Sequence, residues 1–172
     1  DNCRTLFLKK HADYGSSWQV MRLPSITDQL YIKARRIREI EDTGVNKVGD
    51  SVEGEYTALV NYSIIALILA DLIRDGDDLL EREPFDGESL ANAYDTHAEA
   101  AFELFKKKNH DYGEAWREMR VSSYCDLILA KLMRIKQIES NAGRTQVSEG
   151  VEGNYMDVLN YALFALIRLK SQ

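Results

Sequence analysis

Along most of the chain apolar residues recur three and four positions apart, and no segment sustains an alternation of apolar and polar residues. The first pattern belongs to amphipathic helices and the second to half-buried strands, so the expected fold is all-α. Two stretches, residues 59–73 and 158–169, are almost continuously apolar, each interrupted by Asn-Tyr. They fall short of the roughly 18–20 residues that cross a bilayer, and read as helices buried in a protein core rather than in a membrane.

The pattern is also duplicated. HADYGSSWQVMRLPSITDQLYIKARRIREIE aligns with NHDYGEAWREMRVSSYCDLILAKLMRIKQIE. Asp13-Tyr14-Gly15 matches Asp111-Tyr112-Gly113, Trp18 matches Trp116, and Lys33 and Arg36 match Lys131 and Arg134. After a one-residue insertion in the second copy, Val52-Glu53-Gly54 matches Val151-Glu152-Gly153, and Asn61-Tyr62 matches Asn160-Tyr161. Self-similarity at this spacing marks a tandem repeat.

Each copy reads as three helices: residues 5–11, 25–42 and 53–74 in the first, and 89–110, 123–141 and 152–170 in the second. Gly15 and Gly113 suit the left-handed residue that closes a helix. Ser25-x-x-Asp28 and Ser123-x-x-Asp126 suit capping boxes at the start of the second helices. The units are expected at residues 1–74 and 89–172, with an acidic, Gly- and Pro-containing linker at 75–88. Two such units, each with one greasy helix, bury it best by packing about a pseudo-twofold axis as a single helical bundle.

Composition narrows the function. In 172 residues with 45% hydrophobic and 29% charged side chains, a net charge of −6 disfavours duplex DNA as a partner. A local nucleotide pocket remains compatible with that charge, as does a homo-oligomer. Cys3 and Cys125 make neither a disulfide framework nor a metal motif, and no segment reads as a signal peptide. The expectation is a cytoplasmic protein with no membrane association.

The candidate chemistry lies where polar groups interrupt apolar faces. Lys131 and Arg134 lie about 60° apart on an apolar helix face, as do Lys33 and Arg36. Cations there need an anionic partner, which is either a carboxylate of the protein or the phosphate of a ligand. Asn160 and Asn61, inside apolar helices, must find hydrogen bonds, expected from the second helix or the Asp-Tyr-Gly turn. Asp157 shares a helix face with Asn160, and Glu149 and Glu152 lie just upstream. Such acids could hold a hard cation, Mg²⁺ above all, or pair with the lysine and arginine. Tyr112 and Trp116, with their counterparts Tyr14 and Trp18, offer rings for stacking on a base or for plugging the core. The histidines form no catalytic set, and no catalytic residue is assigned.

The pattern K-x-x-D-Y-G-x-x-W, S-x-x-D-x-x-x-x-K-x-x-R-I and E-G-x-x-x-D-x-x-N-Y, from Lys108 through Tyr161 and again from Lys10 through Tyr62, resembles a known family. It is similar to the helical nucleotide-modification-associated domain of bacteria and phages. The resemblance points to Asp111, Tyr112, Gly113, Trp116, Asp126, Lys131, Arg134, Glu152, Asp157, Asn160 and Tyr161. The first copy departs from the pattern at Ala58, where the second has Asp157. A looser similarity connects the chain to all-α nucleoside-triphosphate pyrophosphatases, which hold Mg²⁺ between helices; Glu149-x-x-Glu152 matches one of their two acidic motifs. These likenesses imply a nucleotide-binding protein, with a Mg²⁺-dependent phosphohydrolase or nucleotide-modifying enzyme as its catalytic form. In that reading Lys131, Arg134, Lys33 and Arg36 hold phosphate, Tyr112 and Asn160 the remainder of the ligand, and Glu152 and Asp157 the metal. The alternative is a non-catalytic interaction or scaffolding module whose ion pairs are structural.

Overall fold

A computed structural model describes residues 2–144, 146 and 150–171. Six α-helices carry the described fold: α1 (Asn2–Tyr14), α2 (Leu23–Thr43), α3 (Val52–Asp75), α4 (Gly87–Tyr112), α5 (Val121–Ser140) and α6 (Val151–Lys170). No strand occurs among the described residues. A short 3₁₀ turn precedes α2 and another precedes α5, at Ser17–Val20 and Ala115–Glu118. Each turn carries the tryptophan of its copy.

The helices run longer than the apolar pattern indicates. Asp13-Tyr14 and Asp111-Tyr112 lie inside α1 and α4, and the following glycines reverse the chain with φ of +67° at Gly15 and +62° at Gly113. At Gly15 the backbone N–H bonds the His11 carbonyl at 2.8 Å, which ends α1.

The capping-box expectation is corrected. α2 and α5 begin two residues before Ser25 and Ser123, at Leu23 and Val121, and no side chain caps either helix. The two aspartates bridge the copies instead: Asp28 meets Lys136 at 2.6 Å, and Asp126 meets Arg38 at 2.6 Å. Asp28 is equivalent to Asp126, and Arg38 to Lys136. Reciprocal contacts of this kind are the signature of a twofold relation, here within one chain.

The core forms where the apolar helices meet. α3 and α6 make the most extensive contact, each backed by the second helix of its own copy, and α2 packs against α5. Ile26, Leu30 and Ile37 of α2 are fully buried, as are Leu59, Ile64 and Leu69 of α3 and Ile128, Leu132 and Ile135 of α5. Although α3 is long and apolar enough to cross a bilayer, most of its apolar surface is buried inside the bundle. At the centre, Thr27 Oγ1 lies 2.7 Å from Glu139 of the other copy and 2.6 Å from the Tyr155 hydroxyl. Burial pushes the Glu139 carboxyl above the usual carboxylate range.

α4 crosses from the second copy onto the first. Tyr94 donates to Asn61 at 3.1 Å and its ring lies 5.0 Å from Phe7, while Asp95 pairs with Arg4 at 2.6 Å. The connecting segment also leans on the first copy, where Phe85 stacks over Trp18 at 6.0 Å. These contacts have no counterpart in the second copy, and they shape the site described next.

Candidate functional site

The duplicated Lys-x-x-Arg pair does meet carboxylates, but a different one in each copy. In the second copy Asp157 is buried on α6 and receives Lys131 at 2.7 Å and Lys108 at 2.6 Å, one ammonium on each oxygen. Arg134 points into solvent, with no ion pair among the described residues. In the first copy Ala58 replaces that aspartate, and the acid moves one helical turn earlier to Glu55. Glu55 takes Arg36 at 2.5 Å and lies 3.6 Å from Lys33, and Arg36 also reaches Asp50 at 3.0 Å. The counterpart of Glu55 in the second copy is Asn154, which bonds its own helix backbone at 3.0 Å. Glu55 is the residue that composition and motif spacing pass over. The paired exchange of Glu55 for Asn154 and Ala58 for Asp157 in the aligned copies is the signal that finds it.

Asn61 and Asn160 are buried and hydrogen-bonded, but to a different element from the one expected. Asn61 Nδ2 donates to the Cys3 carbonyl and Asn160 Nδ2 to the Ala101 carbonyl, each at 3.1 Å. Cys3 and Ala101 are equivalent positions on α1 and α4, so each asparagine ties the third helix of its copy to the first.

Among the described residues the acids do not assemble a cation site. A hard cation needs several oxygens turned to one point. Both oxygens of Asp157 already accept ammonium groups, and Glu152 lies about 140° around the helix from it. Glu152 bonds Arg74 of α3 at 3.1 Å. Glu149 lies outside the described residues, and among those described no three of His, Cys, Asp and Glu converge. The described oxygen ligands do not fit Mg²⁺.

The two copies differ most beside their tryptophans. In the second, Trp116 stacks on Phe164 at 4.6 Å and meets Phe105 edge-on at 6.3 Å, and its indole N–H donates to Asn109 at 3.2 Å. That corner is filled. Tyr112 stands outside it, 77% exposed, with no wall around its ring.

In the first copy the smaller Ile65 replaces Phe164, and Phe7, the counterpart of Phe105, turns to Tyr94. Trp18 leans on Phe85. What remains is a cavity of about 230 Å³. Tyr14, Trp18, Tyr62 and Phe7 wall it, Ala58 and Asn61 lie on the α3 side, and Lys10 and His11 lie on the α1 side. Lys33 sits over the face of the Tyr62 ring at 5.6 Å. Partial desolvation, with Tyr62 alongside, raises the Tyr14 phenol above its usual value.

Two polar groups lining this cavity, His11 and Lys10, lack the partners their counterparts have. His11 Nδ1 is buried without a hydrogen bond, whereas the equivalent Asn109 accepts from Trp116. Lys10 makes no ion pair among the described residues, whereas the equivalent Lys108 holds Asp157. Of Lys131, Arg134, Tyr112, Asn160, Lys33 and Arg36, Lys33 alone lies beside the cavity, whereas Tyr14 and Trp18, the stacking candidates of the first copy, line it. Arg36 and Lys131 are committed to carboxylates, and Asn160 to a backbone carbonyl.

Fold and site together define an all-α, two-copy helical protein in which one corner has closed on itself and the other has kept a hollow. The chain belongs to the family described as nucleotide modification associated domain 1, whose model matches residues 10–69 and again 108–169. No curated relative and no solved structure matches the chain.

Proposed function

We propose that the protein binds a nucleotide in the first-copy cavity, while the second copy serves as its structural half. The observation that carries this reading is the cavity itself, with aromatic rings on its walls and a lysine and an unpartnered histidine nitrogen on its α1 side. Aromatic faces take a base whatever its hydrogen-bonding edge, at about 1–3 kcal/mol per stacked base. A lysine at the rim supplies charge for phosphate. Family membership supports a nucleotide-related role. The two unbridged cysteines suit a reducing cytoplasm as the setting.

The module alternative is favoured by one observation, the closed Lys108–Asp157–Lys131 cluster. It describes the second copy well and leaves the hollow in the first unexplained. We therefore assign the two roles to the two copies.

A heat-denaturation screen against nucleosides and nucleotides tests the assignment, because a ligand of the native state raises the melting temperature. Nucleotides are expected to raise it equally in EDTA and in Mg²⁺. Trp18→Ala should weaken binding by about tenfold, in line with one lost base stack. A shift that appears only with Mg²⁺, or that survives Trp18→Ala undiminished, contradicts this reading.

A further inference from the structure

We propose that Asp157 is a built-in stand-in for the ligand, and that the ligand of the first copy is a nucleoside monophosphate whose phosphate takes the equivalent place between Lys10 and Lys33. The proposal rests on the nucleotide reading above and specifies its anion subsite. Within one chain, the same structural position has been solved twice. In the second copy an α6 carboxylate sits between Lys108 of the first helix and Lys131 of the second, at 2.6 and 2.7 Å. In the first copy both lysines are kept, as Lys10 and Lys33, but the carboxylate is trimmed to the methyl of Ala58, which lines the cavity.

Loss of the acid takes from Lys10, on the cavity lining, and from Lys33, over the ring of the lining Tyr62, the anion that their counterparts share, and leaves a need for another. Glu55 answers only part of that need. It binds Arg36 closely, but its other oxygen has no hydrogen bond and is 3.6 Å from Lys33, and Lys10 has no carboxylate among the described residues. The neighbouring exchange runs the same way. Where Asn109 satisfies the Trp116 indole internally, His11 and Trp18 make no hydrogen bond to each other and line the cavity. Two internal partners that close the second copy, Asp157 and Asn109, are thus missing from the first, and Lys10, His11 and Trp18 lie on the cavity wall.

Size selects the ligand. About 230 Å³ is below the roughly 300 Å³ at which sites for drug-sized ligands begin. A base on the aromatic wall, with its ribose, brings one phosphate to Lys10, and among the described lining residues Lys10 is the one lysine or arginine, so a triphosphate chain meets no second such cation there.

The test is a calorimetric titration of the full chain with each common nucleoside, its 5′-monophosphate and inorganic phosphate. Three proteins are compared: wild type, Lys10→Gln and Ala58→Asp. At least one monophosphate is expected to bind wild type about tenfold or more tightly than its nucleoside, as a charge-assisted contact gives. Lys10→Gln, a change at an exposed position, should erase that difference. Ala58→Asp should install the internal anion and abolish monophosphate binding, while its melting temperature holds or rises. Monophosphate and nucleoside binding wild type equally, or Ala58→Asp binding monophosphate as wild type does, overturns the proposal and leaves the nucleotide pocket standing. Inorganic phosphate matching the best monophosphate also overturns it. No binding of any nucleoside or nucleotide removes both readings.

Discussion

Replacing Asp157 with alanine is expected to lower stability by about 3 kcal/mol, the low end of what breaking a buried ion pair costs. At this chain length that lowers the melting temperature by roughly 6–12 °C. The carboxylate is 8% exposed and is the only acid that either Lys108 or Lys131 pairs with among the described residues. Lys131 keeps 19% of its side chain accessible and would be stranded against apolar neighbours. Lys108, about half exposed, swings into water at little cost, which is why the low end applies. The equivalent experiment in the first copy, Glu55→Ala, should cost less. There Arg36 retains Asp50 at 3.0 Å and Asn46 at 3.3 Å. Thermal melts of the two variants side by side check both the size and the order. An unchanged Asp157→Ala protein would mean that the cluster is a solvent pair with no structural part.

Truncating the core in either copy should unfold both. Leu30 of α2 and Ile128 of α5 are fully buried at equivalent positions, and each loses about 2–5 kcal/mol on replacement by alanine. The main contact of the bundle, α3 against α6, joins one copy to the other, so neither half has a complete core alone. Each copy also holds one tryptophan, which makes the claim measurable. Urea unfolding followed in Trp116→Phe and Trp18→Phe proteins should give coincident transitions, and Leu30→Ala or Ile128→Ala should move both together. Two separate transitions would show that the copies are independent domains.

Much of this architecture was legible from periodicity. Helix count, duplication and the burial of residues 59–73 and 158–169 follow from apolar spacing, because a continuous apolar face has no stable place except a core. Helix starts were not legible. Ser25 and Asp28 have the composition of a cap, yet Asp28 gains more by reaching Lys136 across the copies, a partner 108 residues away in the chain. The ion pairs were legible in type but not in place. Cations on an apolar face did require an anion, and in both copies that anion is a buried acid. Which acid it is depends on one helical turn, the step between Glu55 and Ala58, an exchange that the aligned copies show but whose partners appear only in space. The hollow was hidden for the same reason. It arises from the small size of Ala58 and Ile65 and from the pull of Tyr94 and Phe85 on Phe7 and Trp18, contacts made by segments outside the repeat motif.

The central claim, that ligand enters the first copy and not the second, is tested most directly by tryptophan fluorescence of the two single-tryptophan proteins during titration with nucleoside monophosphates. Trp18 lines the cavity, and Trp116 is stacked beneath Phe164 with its N–H bonded to Asn109. The account predicts a saturable change in Trp18 emission with at least one monophosphate and a flat Trp116 signal throughout. A saturable response from Trp116 with none from Trp18 would place the site in the second copy and contradict the account.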